Sequence, residues 1–180
     1  MSWRSNDRHY GAASIALHWL MLLLIALVAT LMELHESFPK GSETREALTH
    51  WHFMLGLSVL GLVALRLAVN LGAPVPRIEP DPPGWQHKLA RATHLALYVL
   101  MIGLPITGWL FLSAANKPIP FFGFDMPALI GPSKPIAGAV KEIHEIGAKI
   151  GYALVALHAA AALFHHYFVR DNTLRRMLPG

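Results

Sequence analysis

Four long apolar segments are the feature that most constrains what this chain can fold into. Each is close to, or longer than, the roughly 20 mostly apolar residues that a helix needs to cross a bilayer. They cover roughly residues 13–34, 51–71, 86–114 and 137–168 of a 180-residue chain. The chain is 54% hydrophobic and only 14% charged, whereas a soluble domain has about 25% charged residues. We therefore predict an integral membrane protein.

The segments predict an all-α fold, a single domain over residues 1–180 in which four helices form a membrane bundle. The first segment is longer than the apolar core of a signal peptide and lacks a clear small-residue cleavage site, so we interpret it as a retained span. Proline-rich connections, LGAPVPRIEPDPPG and NKPIPFFGFDMPALIGPSKP, separate later segments. Membrane lipid is the expected environment. No basic run with interleaved aromatics predicts a nucleic-acid partner.

Lysine and arginine near the ends of the segments predict the orientation in the membrane. One side carries nine of them and the other side six. Both termini are therefore predicted to lie in the cytoplasm, with the chain in a bacterial inner membrane. The nine are Arg4, Arg8, Arg66, Arg77, Lys88, Arg91, Arg170, Arg175 and Arg176, and the six are Lys40, Arg45, Lys117, Lys134, Lys141 and Lys149.

Four of the eleven histidines form two pairs at matching predicted depths. His18 and His158 lie in the cytoplasmic halves of the first and fourth segments, and His52 and His144 open the second and fourth segments on the outer side. His144 and His158 share nearly one helix face, about 21 Å apart along the axis. Two imidazoles that face each other across a bundle core suit bis-histidine ligation of haem iron. We therefore predict two b-type haems in the bundle core, one for each pair.

The chain has no cysteine, which excludes covalently attached c-type haem, iron–sulfur clusters and thiolate metal sites. A zinc or non-haem iron site would need ligands at one depth, usually with a carboxylate. For any single histidine the alternative is a polar residue at the membrane interface. Histidines well inside a span are costly and usually functional, which favours ligation for His18 and His158.

Three further residues predict a quinone site beside the inner pair. His94 and Arg91 lie in the cytoplasmic half of the third segment, and His165 follows His158 by seven residues, on the same helix face. A quinone needs hydrogen-bond donors at its carbonyls and a source of protons near the aqueous phase. Interfacial anchoring and phospholipid contact are the alternatives for each residue.

Several stretches together resemble the bacterial cytochrome b561 family of four-helix, di-haem membrane proteins. They are SIALHWL, the segment from His52 to Arg66, LARATHLALY, and KEIHE followed by LHAAAALFHHYFVRDNTLRRMLP. The resemblance implies that His18 and His158 ligate the inner haem and that His52 and His144 ligate the outer one. It also implies that the position of His165 lies near the quinone. The most similar kind of member is a small stand-alone protein that oxidises superoxide and reduces ubiquinone.

The resemblance implies a reaction in which superoxide becomes O2 on the periplasmic side. Electrons pass through the outer and then the inner haem to ubiquinone, and no obligate protein partner is expected. No side-chain acid or base is required for superoxide oxidation. Lys117, Lys134 and Lys141 are candidates for attracting the anion, with ordinary solvated loop charges as the alternative for each.

Three alternative functions remain open from the sequence. The chain could be the electron-transfer subunit that links a dehydrogenase or hydrogenase to the quinone pool. It could be a haem-dependent sensor or assembly protein without turnover. A transporter without haem would show no visible absorbance.

Overall fold

Four long helices dominate the computed structural model, which describes residues 3, 5–7 and 9–178. They are α1 Ala12–His35, α2 Glu43–Asn70, α3 Gly84–Ala114 and α4 Lys134–Phe164. All four, with α4 continued to Val169, are long and apolar enough to cross a membrane. The predicted all-α membrane fold of four helices is therefore confirmed. Arg4 and Arg8, which contributed to the predicted orientation, lie outside the described residues.

The second helix begins at Glu43, well before the predicted start near residue 51. Its N-cap is Ser42, whose side chain accepts a hydrogen bond from the backbone amide of Arg45. Glu43 and Glu46 lie in the first turn, where the helix dipole favours negative charge. The prediction covered only the apolar part of α2 because these capping interactions extend the helix through polar residues.

The loop between α3 and α4 contains a hairpin that the sequence analysis did not predict. Strands β1 Pro120–Phe121 and β2 Phe124–Asp125 pair antiparallel. Phe122 and Gly123 form the two-residue turn with φ of 44° and 97°. Both values lie in the left-handed region, as a tight hairpin turn requires. Glycine accommodates this conformation without strain, whereas Phe122 does not.

The close helix–helix contacts are α1 with α2, α2 with α3, and α3 with α4. One cluster of the buried core consists of Met21 from α1 and of Val59 and Val63 from α2, with residues of α3 such as Met101 packed against it. No residue of α4 belongs to this cluster within the described chain, although Ala137 and Val140 of α4 are themselves buried. The fourth helix thus packs mainly on α3. Its backbone makes few close contacts with α1 and α2.

Large apolar side chains cover much of the outer surface of the bundle. In water this exposed apolar area would be unfavourable, whereas a lipid environment accommodates it. The chain is therefore a multi-pass membrane protein. Examples are Leu23, Leu27, Leu65, Leu95, Val99, Ile143, Ile146, Ile150 and Leu157.

The C-terminal segment folds across one end of the bundle. After α4, a π turn, His165–Val169, leads to a short 3-10 helix, Arg175–Met177. The Trp19 indole donates to the Met177 carbonyl at 2.7 Å, and the Asn172 amide donates to the Glu79 carbonyl at 3.2 Å. We call this the terminal end, and we call the opposite end, with the α1–α2 loop and the hairpin, the hairpin end.

Candidate functional site

Two histidines meet near the terminal end of the bundle. The ring centroids of His18 on α1 and His158 on α4 are 6.2 Å apart, with their planes at 66°. His94 on α3 is a third imidazole of this cluster, with its centroid 5.4 Å from that of His158. The structure therefore brings together the two residues predicted as the inner pair and one of the three predicted for the quinone site.

A second pair of histidines meets near the hairpin end. The ring centroids of His52 on α2 and His144 on α4 are 6.1 Å apart, with their planes at 82°. The Nδ1 of His52 lies 3.1 Å from the Val28 carbonyl oxygen, and the Nδ1 of His144 lies 3.0 Å from that of Leu104. An imidazole that donates through Nδ1 keeps Nε2 free as a metal ligand. Both rings are thus held in the tautomer that ligation requires.

Thr107 of α3 contacts the His144 ring. Its hydroxyl donates to the Leu104 carbonyl at 2.9 Å and lies 3.1 Å from Nδ1 of His144. The contact orients the imidazole in the way that outer-shell groups orient metal ligands. The sequence analysis did not identify Thr107, because a threonine within an apolar helix usually bonds only to its own helix.

The separation of the paired rings fits the haem implied by the sequence. A metal–imidazole bond of about 2.0 Å and a nitrogen about 1.1 Å from its ring centroid place two imidazoles on opposite sides of one iron with centroids roughly 6.2 Å apart. The observed separations are 6.2 Å and 6.1 Å. The separation of 5.4 Å between His94 and His158 fits this arrangement less well.

The packing of α4 also suits a flat group between the paired histidines. The backbone of α4 packs closely on α3 and not on α1 or α2, the two helices that carry His18 and His52. Among the described residues no group of three or more His, Cys, Asp or Glu side chains could hold a metal ion. At each level the structure offers a pair of imidazoles from two helices, which is the donor set that a bis-histidine haem would need.

Arg66 of α2 lies close to the terminal-end cluster. Its guanidinium donates to the Tyr98 hydroxyl and to the Ser14 carbonyl, both at 3.3 Å. Its positive charge acts on His18, His94 and His158. No carboxylate pairs with it in the described part of the chain. The sequence analysis used Arg66 only for orientation, although an ionisable residue inside a span is itself a signal of function.

The other two residues predicted for the quinone site lie in different surroundings. Arg91 is exposed on α3. His165, in the π turn, forms a hydrogen bond through Nδ1 with the Asp171 carboxylate, 2.5 Å away. Asp171 is buried, at 3% exposure. Sequence reasoning missed Asp171 because only the π turn and the chain reversal that follows bring it back to His165.

A cavity of about 640 Å³ opens at the hairpin end. Its lining includes the cationic side chains of Lys40, Arg45 and Lys117 and one carboxylate, that of Glu46, together with His50 and Phe53. The Phe53 ring contacts His52, with 6.2 Å between their centroids. The cavity therefore lies beside the hairpin-end pair.

The three lysines predicted to attract superoxide are not all in the cavity lining. Lys117 belongs to it, whereas Lys134 and Lys141 do not. Lys134 is the first residue of α4 and is exposed. Lys141 forms an ion pair with Glu145 of its own helix, at 2.9 Å. Lys40 and Arg45, which the sequence analysis did not propose for this role, are the additional cavity cations, and the Arg45 charge is partly balanced by Glu36 at 3.2 Å.

Several known bacterial proteins are similar in sequence to this chain over nearly its whole length. The family model for prokaryotic cytochrome b561 matches residues 9–180. Cytochrome b561 homolog 1 of Escherichia coli strain K12 is 41% identical over 170 residues, which cover 94% of this chain and 97% of that protein. The probable superoxide oxidase CybB of Yersinia pestis is 34% identical over 172 residues, which cover 96% and 97%. Cytochrome b561 homolog 2 of the same Escherichia coli strain is 31% identical over 186 residues, which cover 99% and 95%.

The match extends over nearly the whole chain, including all four helices and the C-terminal segment. The chain therefore belongs to the prokaryotic cytochrome b561 family, whose members are membrane proteins that bind b-type haem.

Proposed function

We propose that the chain is a superoxide:quinone oxidoreductase of the bacterial inner membrane. Two superoxide anions are oxidised to two O2, and one ubiquinone takes up the two electrons and two protons to become ubiquinol. The observation that carries the proposal is the pair of facing imidazoles at each end of α4. A cationic cavity lies beside one pair, and a buried imidazole–carboxylate contact lies beyond the other. The relative named probable superoxide oxidase supports this reaction.

Four histidines would hold two haems in this proposal. His18 and His158 would ligate the one at the terminal end, and His52 and His144 the one at the hairpin end. When bound, the two haems supply one-electron chemistry and a route for electrons across the bundle. The helices fix the ligands at two levels, and the Nδ1 contacts of His52 and His144 hold Nε2 available.

Arg66 would balance negative charge at the terminal-end site. A positive charge inside a span is costly without a partner, and its donors contact only neutral oxygens among the described residues. A haem propionate is a carboxylate of the kind that a guanidinium binds well. We therefore assign Arg66 to haem binding at this level.

The hairpin end would attract superoxide. Superoxide is a small anion, and a cavity lined by cations raises its local concentration and the rate of encounter. Lys117, Lys40 and Arg45 line the cavity itself, while Lys134 and Lys141 would act only through the longer-range field. No side-chain acid or base is needed for this half of the reaction.

The terminal end would bind ubiquinone and supply its protons. His165 offers a ring nitrogen that is not engaged by Asp171, and His94 is in contact with His158. Arg91 would contribute a positive charge at the mouth of the site. In the proposed orientation this end faces the cytoplasm, and the chain turns over without an obligate protein partner.

An anaerobic pulse experiment tests the proposal. The purified protein is oxidised, given a pulse of superoxide and followed by haem absorbance with and without ubiquinone. We expect rapid reduction that superoxide dismutase abolishes, followed by reoxidation only when ubiquinone is present. Two b-type haems that superoxide does not reduce would contradict the proposal and favour an electron-transfer subunit whose donor is another protein.

Substitution of single histidines tests the ligand assignment separately. His52→Ala or His144→Ala should remove the hairpin-end haem and the reaction with superoxide, while the other haem remains. Unchanged spectra of both haems in these variants would show that the pairing is wrong.

A further inference from the structure

The chain reverses direction immediately after α4, and this reversal creates a buried contact. Arg170 adopts a left-handed conformation, with φ of 61°, directly after the π turn. The Asp171 amide then donates to the His165 carbonyl at 3.2 Å. The same geometry places Oδ2 of Asp171 2.5 Å from Nδ1 of His165. Five-residue turns of the π type are rare and occur frequently at functional sites.

Asp171 is the one charged side chain classed as buried in the described part of the chain. A buried carboxylate is costly unless its oxygens are paired. Here Oδ2 contacts His165, and Oδ1 accepts a hydrogen bond from the Thr173 amide at 2.8 Å. Burial acts to raise the pKa of Asp171, but the hydrogen bonds from His165 and Thr173 outweigh it, so the pKa lies below its ordinary value of 3.8. The carboxylate is therefore ionised at neutral pH.

Few other charges face this contact. The Arg176 guanidinium interacts electrostatically with Asp171 and with His94. It lies over the Tyr10 ring, 5.8 Å from the centroid, and donates to the Pro76 carbonyl. Asp171 and His165 thus form a local ion pair when the imidazole is protonated, and Arg176 is a further cation of the C-terminal segment that interacts with the carboxylate.

The contact leaves His165 with one available ring nitrogen. Nδ1 is engaged by Asp171, and Nε2 makes no hydrogen bond to any residue from 9 to 178. A carboxylate that accepts from one ring nitrogen fixes the orientation of the ring, so the other nitrogen points away from it and carries a proton whenever the imidazole is protonated. His165 directly follows α4 and comes seven residues, about two helical turns, after His158.

We propose that Asp171 is the positioning residue for proton delivery to ubiquinone, holding His165 so that its Nε2–H faces the quinone oxygen. The inference rests on the proposed function and adds a residue to its quinone site. As ubiquinone gains two electrons from two superoxide anions, the Nε2–H bond breaks and an O–H bond forms on the quinone. His165 then takes a new proton from the aqueous phase, and the second quinone oxygen, which His165 does not face, takes its proton from the aqueous phase. Asp171 stays a carboxylate throughout.

The test compares Asp171→Asn with the wild-type protein in the quinone-dependent reoxidation step. Asparagine keeps the shape of the side chain and an acceptor oxygen but removes the charge. The rate of this step should fall at high pH, where His165 loses its proton, and we call this fall the alkaline limb of the pH profile. In Asp171→Asn we expect the alkaline limb to move to lower pH, which makes the step about tenfold slower at a pH on that limb. Reduction of the haems by superoxide without quinone should be unchanged. An unmoved limb would overturn the proposal, because a merely structural role lowers yield or haem content without shifting the profile.

Asp81→Asn is the matched control. Asp81 also pairs with a histidine near the terminal end, His87, at 3.0 Å, but both side chains are exposed. The same chemical change there should leave the pH profile in place. If Asp171→Asn does not fold, His165→Gln replaces it, and that variant should lose the alkaline limb altogether. A limb that persists in His165→Gln would contradict the proposal.

A spectroscopic measurement separates this inference from the proposed function. With ¹⁵N-labelled histidine, we expect a strongly downfield Nδ1–H proton resonance in the wild-type protein that is absent in His165→Gln. If the wild type does not reduce ubiquinone, the proposed function fails, and the resonance decides whether the His165–Asp171 contact exists. Without that resonance the positioning role fails, even in a protein that reduces quinone.

Discussion

At the scale of single residues, Arg66 is a charged side chain within the membrane-spanning helix α2, where an unpaired charge is costly. Its guanidinium bonds only to the neutral oxygens of Tyr98 and Ser14, and its charge acts on three imidazoles of the terminal-end cluster. A fixed positive charge beside a redox centre stabilises the form with the extra electron. Arg66 should therefore raise the midpoint potential of the haem that His18 and His158 are proposed to ligate.

We expect Arg66→Gln to lower the midpoint potential of that haem. The loss of one charge should be worth on the order of 1 kcal/mol, which is roughly 40 mV for a one-electron couple. A redox titration of the two haem absorbances measures the change. Lys88→Gln is the control, because Lys88 carries the same charge near the same end but is exposed. An unchanged potential, or a shift confined to the other haem, would contradict the assignment.

At the scale of the elements, α3 both holds α4 in place and orients one of its histidines. A Cβ at Gly147 of α4 would lie 2.8 Å from Cδ2 of Leu104, and one at Gly151 would lie 3.8 Å from Cδ1 of Leu100. Glycine at position 147 thus lets the two helices approach closely, as in other membrane helix pairs, whereas a Cβ at Gly151 would make an ordinary van der Waals contact. The Leu104 carbonyl also contacts His144, so helix packing and ligand orientation depend on the same turn of α3.

Gly147→Ala should destabilise this helix pair relative to Gly138→Ala. Both changes replace a helical glycine and share the same gain in helix propensity, but a Cβ at Gly138 meets nothing within 4 Å. The Leu104 side chain must change its rotamer in Gly147→Ala, so we expect a difference of about 1–2 kcal/mol between the variants. Thermal unfolding in detergent, followed by haem absorbance and circular dichroism, measures it. Equal stability would mean that the contact between α3 and α4 is looser than described.

At the scale of the whole molecule, charge is distributed differently at the two ends of the bundle. Lys40, Arg45 and Lys117 surround the cavity at the hairpin end, while the terminal end buries Asp171 beneath the C-terminal segment. In the proposed function, the cavity would receive the superoxide anion, and the terminal end would receive the quinone that takes up protons. This asymmetry follows from the fold, because loops and segments distant in sequence form each end.

The rate at which superoxide reduces the protein should fall as salt is added. The Debye length is about 10 Å at 0.1 M ionic strength, so the field of the cavity is screened at moderate salt. Lys117→Gln should lower the rate roughly two- to threefold at low salt and weaken its salt dependence. Lys88→Gln, at the terminal end, should change neither the rate of reduction nor its salt dependence. Stopped-flow measurement of haem reduction by superoxide at several ionic strengths tests this prediction. A rate that does not depend on salt in the wild-type protein would exclude attraction of superoxide by the cavity.

The number of membrane helices and the positions of the paired histidines could be predicted from the sequence. Apolar length decides which segments can cross a bilayer, and the fixed rise and turn of a helix decide which residues share a face and a depth. These rules are local, so they needed no knowledge of packing. They identified His18, His52, His144 and His158 as two pairs, and the structure brings the same residues together.

Contacts between residues on different elements required the tertiary structure. The roles of Thr107 beside His144 and of Arg66 beside the inner cluster depend on how α2, α3 and α4 pack. The cavity cations Lys40 and Arg45 meet Lys117 only because two loops converge. Asp171 reaches His165 through a π turn and a left-handed residue, which no periodicity predicts. The sequence by itself therefore determined the membrane helices and their histidines, whose spacing is a property of each helix. Only the tertiary structure decided the surroundings of those histidines, since these depend on which elements pack together.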